Sequence, residues 1–432
     1  MRKVYVLAVF GLLLLLSFSE SFGQTTIDAE FRPRSEFRQG FNQPLADTLK
    51  SALMTMQRTR LNFNYKGGVI SARLVLQDSR IFGETDTKQP ATATTGSIGV
   101  YEAWTELLLF SGTSFKIGRQ GVQFEDGRLF SLSPWSNTGN SHDLAQLRYF
   151  APGFDIQLGY AYNNQKAYNA DTSYYSVSKM YKQLAFLHLT KTIINGLDLS
   201  LLGVDESFSK SKKDLDFYHR YTTGGTLQFK KDKLPLSVFA TGYYQFGKSA
   251  STVDLDAYLL ALKANYTFTD KIGGLVGADY YSGSGSTIAA TKTNTFNKLP
   301  YGVNHSFNGY MEYWATLPKG GLINYFGGVN LKLSKKLSSD ITYYAFSLAK
   351  DMKVGKVDVQ KNVGSELDVA LNYKFSAETA VQFAWCGYLA TDGTKMLKYK
   401  STTLDTKFPQ YAYLMLTIKP QLYKTPVVAE SK

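Results

Sequence analysis

The arginines are the residues of this sequence with the clearest chemical potential. Eleven follow Arg2; ten of them lie between Arg32 and Arg148, and only Arg220 lies beyond. From Ile27 to Arg38 the even positions are Asp28, Glu30, Arg32, Arg34, Glu36 and Arg38, and the odd ones are Ile27, Ala29, Phe31, Pro33, Ser35 and Phe37. Arg58 and Arg60 share a phase with Asn62 and Asn64, and Arg73 and Arg148 fall on the same kind of face. A guanidinium group stays charged and grips a carboxylate or phosphate through a planar fork. A wall of them would concentrate anions in any cavity they faced. Asp28, Glu30, Glu36, Glu102 and Glu106 occupy neighbouring faces, so wall-stiffening ion pairs fit the same pattern. Arg119 follows Gly118, where a bulge can re-aim the side chain, and its face stays open.

Other reactive groups point to less. Glu125, Asp126, Asp143, Arg128 and His142 gather in sequence without the oxygen-ligand spacing of a calcium loop, and read as ion pairs between loop and wall. The histidines, His142, His188, His219 and His305, are scattered and lack metal-ligand spacing. No metal or cofactor is expected. His188 sits in a strand-like run, but no motif marks a serine for it, so no catalytic site is expected. Gly224-Gly225 and Gly273-Gly274 lie inside alternating runs, not in phosphate-binding loops, and no nucleic-acid partner is indicated.

Period-two alternation fixes the elements that must carry these groups. It recurs in Thr59–Tyr65, Tyr101–Leu107, Ile323–Leu333 and Glu366–Phe375. About eighteen such segments occur, each near the length a tilted strand needs to cross a bilayer. Short turns (66–68, 111–113, 151–153, 195–196, 231–233, 269–271, 334–339, 376–378) alternate with mostly longer loops (85–97, 123–141, 165–178, 285–320, 351–364, 392–408). The loops near 42–51, 210–214 and 249–252 are shorter. Arg2 and Lys3, an apolar run to Phe18 and the small residues Ser21 and Gly23 predict a cleaved secretory leader over 1–23. The 30 Tyr, 28 Phe and 36 Gly suit aromatic girdles and crowded wall positions. Cys386 is the sole cysteine, so no intrachain disulfide can form. The expected fold is all-β: a transmembrane antiparallel β-barrel of about eighteen strands over 24–423, with short periplasmic turns, longer extracellular loops and a tail over 424–432. Hydrocarbon cannot satisfy an open sheet edge, so the sheet must close.

Phe115-Lys116-Ile117-Gly118-Arg119-Gln120, then Glu125-Asp126-Gly127-Arg128-Leu129, Trp135 and His142-Asp143, resemble the alginate export family of outer-membrane barrels. Leu76 to Arg80 and Tyr301 to Tyr310 are similar to it as well. The resemblance implies an eighteen-stranded barrel whose arginine-rich pore passes an anionic polysaccharide.

The expected role is therefore passive diffusion of anionic solutes, either small or polymeric, through a barrel in the outer-membrane lipid of a Gram-negative-type cell. Arg32, Arg34, Arg38, Arg58, Arg60, Arg73, Arg119 and Arg148 are the expected pore-lining residues. The loop 285–320 is too aromatic to be freely solvated. Its Phe296, Tyr301, His305, Phe307 and Tyr310 are expected to fold into the mouth as a constriction facing the arginines of the first three strands. The alternative is a scaffold displaying loops 123–141 and 285–320 for adhesion or as a subunit of a membrane complex.

Overall fold

The computed structural model describes residues 23–84, 98–164, 181–210, 216–303 and 305–426. The leader, the loop cores 85–97 and 165–178, most of 210–214, Asn304 and the end of the C-terminal tail lie outside the described residues.

Alternation becomes strands throughout. In chain order they are β1 (Gln24–Gln39), β2 (Ala52–Lys66), β3 (Ile70–Ile81), β4 (Gly99–Phe110), β5 (Thr113–Gln120), β6 (His142–Ala151), β7 (Phe154–Tyr162), β8 (Gln183–Ile194) and β9 (Leu197–Ser209). The second half comprises β10 (Phe217–Lys230), β11 (Leu236–Ala250), β12 (Val253–Thr269), β13 (Ile272–Tyr281), β14 (Leu322–Lys332), β15 (Leu337–Ser347), β16 (Asn362–Lys374) and β17 (Thr379–Leu389). β18 runs over Gln410–Ile418 and resumes as Gln421–Lys424 past a break at Lys419 and Pro420. Each strand pairs antiparallel with the next, and β1 pairs with both β2 and β18. Eighteen strands thus close into a barrel with no free edge.

The two faces differ as the pattern requires. Leu147, Leu158, Leu187, Leu201, Leu260, Leu262, Val276 and Leu414 point away from the lumen, with nothing of the chain over them. The opposite face carries Glu30, Arg32, Arg34, Glu36, Arg58 and Asn62, all buried. The tyrosine pairs split between the faces. Tyr244 and Tyr343 are outward and exposed, while Tyr243, Tyr281 and Tyr344 are inward and buried. Tight turns close one rim. Gly112 (φ 74°) and Gly196 (φ 88°) adopt left-handed backbone there, and a Cβ on Gly112 would sit 2.4 Å from the Phe150 carbonyl oxygen.

The long loops leave from the other rim and turn inward. Phe124, Leu129 and Phe130 of the 121–141 loop pack with Phe296, Leu299, Tyr301, Met311, Tyr313 and Trp314 of the 282–321 loop. They meet inward wall residues such as Phe186, Tyr281, Phe346, Tyr388 and Tyr411. The hydrophobic core of the molecule therefore lies inside the barrel. One further element is a helix the alternation did not show, α1 (Asp392–Tyr399), capped by Thr391, whose side chain and that of Thr394 bond each other's backbone N–H.

Candidate pore and its inward loops

β1, β2 and β3 bring the arginines together. Arg32 lies directly opposite Arg58, and Asn64 opposite Arg73. Two like charges facing each other across a ladder repel. Acceptors from outside the wall resolve the conflict. The Ser136 carbonyl takes 2.7 Å bonds from both Arg32 and Arg58, and the Pro134 carbonyl also accepts from both. Trp135 offers its carbonyl to Arg34 at 2.7 Å, and the Arg34 guanidinium stacks 3.8 Å from the Trp135 ring centroid. Glu30 pairs with Arg58 at 2.5 Å, and Glu36 lies between Arg34 (2.7 Å) and Arg38 (2.5 Å).

Among the described residues of β1–β3, three arginines stay open to the lumen. The Arg38 side chain keeps 28% of its surface and Arg73 keeps 36%. Arg60 is half-buried, stacks 3.7 Å from the Tyr101 ring and bonds Gln77 at 2.8 Å. Arg73 pairs with Glu102 at 2.6 Å, and Arg148, near the tight-turn rim, with Glu106 at 3.0 Å. Arg119 is a correction: it takes the outward phase, where it pairs with the exposed Asp143 at 2.9 Å and leaves the arginine wall. Gly118 does carry a left-handed φ of 124°, but the register across β4 and β5 does not slip there, so alternation continues.

The expected constriction loop does enter the barrel, and its Val303, His305 and Glu312 share a cavity with Arg34 and Arg38 of the wall. The direct bonds to the arginines come instead from residues 134–136 of the other loop. The two loops are knitted together: Ser131 N–H donates to the Tyr301 carbonyl at 2.9 Å, and Val303 N–H to the Gly127 carbonyl at 3.0 Å. His305 stacks between Trp135 (3.7 Å) and Tyr310 (4.2 Å). Phe296 and Tyr301 are buried, the Tyr301 hydroxyl donates to Glu206, and Phe307 lies 4.1 Å from the Arg128 guanidinium. Backbone N–H groups of Tyr310 and Met311 donate to Asp368 (3.0 Å) and Glu366 (2.7 Å) on β16. Arg128 pairs with Asp126 (3.3 Å) and reaches the wall at Asp279 (3.1 Å); burial pulls its guanidinium down, and Asp279 and Asp126 together hold it above its usual range. Burial, with Arg128 close by, pushes the Lys298 ammonium down to about 7.

Two cavities flank the segment around His305. One of 310 Å³, towards the long-loop rim, is lined by Arg34, Arg38, Trp135, Val303, His305 and Glu312. The other, of 210 Å³, lies behind Ser306 and Phe307 and reaches Lys263 and Asn265. Both are spaces lined by charged side chains within the closed barrel. A family model described as alginate export matches residues 24–388.

The chain belongs to the alginate export family. As a member of it, this barrel is an outer-membrane channel for solute diffusion of the Gram-negative type. Its tight turns are then periplasmic and its long loops extracellular. Solved porins share the fold. OccAB4 of Acinetobacter baumannii superposes with a TM-score of 0.62 at 14% identity, covering 94% of this chain and all (100%) of that one. OccK5 (OpdH) of Pseudomonas aeruginosa gives 0.58 at 12%, covering 92% and 98%. Pseudomonas aeruginosa OpdK, solved with vanillate, gives 0.57 at 12%, covering 93% and 99%. Among curated protein sequences, none matches this chain.

One arrangement in this family member has the residue types of a hydrolase. Nε2 of His188 lies 2.6 Å from Glu125 and 2.9 Å from the Ser200 hydroxyl. In a relay the base uses one ring nitrogen for the nucleophile and the other for the orienting acid. Here both partners share Nε2, and Nδ1 has no hydrogen-bond partner among the described residues. The group fastens the 121–141 loop to β8 and β9. The lumenal tyrosines Tyr243, Tyr281 and Tyr344 likewise lie beneath the loops and present no free ring for stacking on sugars.

Proposed function

We propose that the pore is anion-selective and passes carboxylate-bearing solutes, with acidic saccharides as the cargo class. Arg38, Arg60 and Arg73 meet the solute. Arg32, Arg34 and Arg58 hold the 121–141 loop that shapes the passage, and the segment around His305 and Phe307 is the constriction. The observation that carries this reading is that these three partly exposed arginines share the lumenal phase of three consecutive strands. Six guanidinium groups (Arg32, Arg34, Arg38, Arg58, Arg60, Arg73) face four carboxylates (Asp28, Glu30, Glu36, Glu102) across this wall, which leaves it net positive. Low-dielectric walls focus such a field into the water between them. The family supports an acidic polysaccharide, and a like-folded barrel solved with vanillate supports a carboxylate as the recognised group.

The test is bilayer recording in asymmetric potassium chloride. An anion-favouring reversal potential is expected, moving towards cations when Arg38, Arg60 and Arg73 are all replaced by Gln. A parent channel that favours cations would overturn the proposal.

A further inference from the structure

The arginine wall belongs to β1–β3. At the periplasmic mouth, on β14–β18, the cations are lysines. A cavity of 720 Å³ there is lined by Lys332, Lys335, Lys336, Lys374 and Lys419. Glu378 is the one acidic residue among its described lining residues. Lys332 ends β14 and Lys374 ends β16, two positions beyond Asn330 and Asn372. Those amides both donate to Asp340, at 2.6 and 3.0 Å, which fixes this phase as lumenal. Lys335 and Lys336 occupy the turn before β15, and Lys419 stands at the break in β18, 3.2 Å from Glu30. Lys336 donates to the Phe375 carbonyl at 3.1 Å.

An ammonium is a compact, strongly hydrated point charge on a flexible stem, and it binds anions without the geometric demand of a guanidinium fork. Several of them around one wet space raise the local concentration of a polyanion and its capture rate, and hold no single carboxylate firmly. We infer that this mouth is a second anion station, a lysine vestibule that captures the end of a polycarboxylate chain entering from the periplasm. The inference rests on the anion-selective reading and adds a side, a site and a multivalent ligand to it. The lumenal phase of Lys332 and Lys374 turns them away from the lipid-facing surface, which favours a solute over lipid headgroups.

Asymmetric block tests this. Hexagalacturonate is added first to one chamber and then to the other across single channels of the full barrel, and the two blocking rates are compared. The parent should block faster from one side, by roughly tenfold at low salt. That ratio should fall towards one in the Lys332→Gln, Lys335→Gln, Lys374→Gln triple variant and persist in the matching Lys→Arg triple variant, which keeps the charge. A Gln variant with the parental ratio, or an anion-selective parent blocked equally from both sides, would overturn the vestibule alone. A parent blocked from neither side would overturn the vestibule and the polysaccharide cargo together.

Discussion

Arg58 and Arg60 are two residues apart on one face of β2, yet they do different work. Arg58 is buried, paired with Glu30 and capped by the 134 and 136 carbonyls. Removing its charge leaves the buried Glu30 carboxylate with only the exposed Lys419 ammonium at 3.2 Å, and breaking a buried pair typically costs about 3–5 kcal/mol. Arg60 has no carboxylate partner within ion-pair distance among the described residues, although Glu30 lies opposite it in the ladder; its bonds go to Gln77 and the Thr138 carbonyl, and it stacks on Tyr101. Arg58→Gln should therefore lower the urea midpoint of the barrel in lipid vesicles. Arg60→Gln should leave that midpoint nearly unchanged and shift the reversal potential. If the two variants behaved alike in both measurements, the division between holding and selecting would be wrong. The sequence showed the phase of these arginines because alternation needs only residue types. It did not show their partners, since backbone carbonyls come with every residue and only the fold of 133–138 brings those particular ones to the wall. Arg119 was open for a related reason: a left-handed glycine permits a bulge without requiring one.

At the scale of the element, strands were legible and loop interiors were not. A strand's two environments are written into consecutive residues, so Leu371 and Asn372 already announce lipid and lumen. Leu371 is exposed on the outer face, and Asn372 bonds Asp340 at 3.0 Å inside. Leu371→Arg should cost about 2–4 kcal/mol near mid-bilayer, while Asn372→Ser should be mild in a vesicle folding assay. Equal costs would mean the register is inverted. The helix α1 has no comparable signal, because its eight residues in a polar loop are too few for a periodic stripe. Within the 282–321 loop, Lys298 makes docking depend on pH. Its ammonium, held down to about 7 by burial beside Arg128 and against the opposing pull of Asp279 and Glu312, titrates near 10.5 once the loop is released into water. Between these values the undocked loop binds the extra proton, so docking strengthens as pH rises. Protease nicking of the loop should slow from pH 7 to pH 9 in the parent, and Lys298→Met should flatten that dependence. A parental profile in the variant would assign the effect to another group.

The whole molecule is a barrel whose apolar core is made of its own extracellular loops. Eighteen strands enclose more space than wall side chains fill, and the aromatic content of the 282–321 loop follows from that. Phe296, Tyr301, Met311, Tyr313 and Trp314 are there to be buried. The sequence pointed to the mouth but left a partner protein as the alternative, because a loop rich in aromatics can equally cover a partner; inward wall residues such as Tyr281, Phe346 and Tyr388 meet them from the other side. The same geometry predicts the effect of shortening the loop. Removing 287–318 takes away the segment between the 310 Å³ and 210 Å³ cavities and joins them. Single-channel conductance should rise. Selectivity should weaken only in part, since the carbonyls of Pro134, Trp135 and Ser136 still hold Arg32, Arg34 and Arg58 in place, and Arg38, Arg60 and Arg73 still face the enlarged passage. Complete loss of anion preference in a folded deletion variant would make this loop the selectivity element. A folded variant with parental conductance would mean that the constriction lies elsewhere, with the 121–141 loop, still bound to the arginine wall, as the remaining barrier.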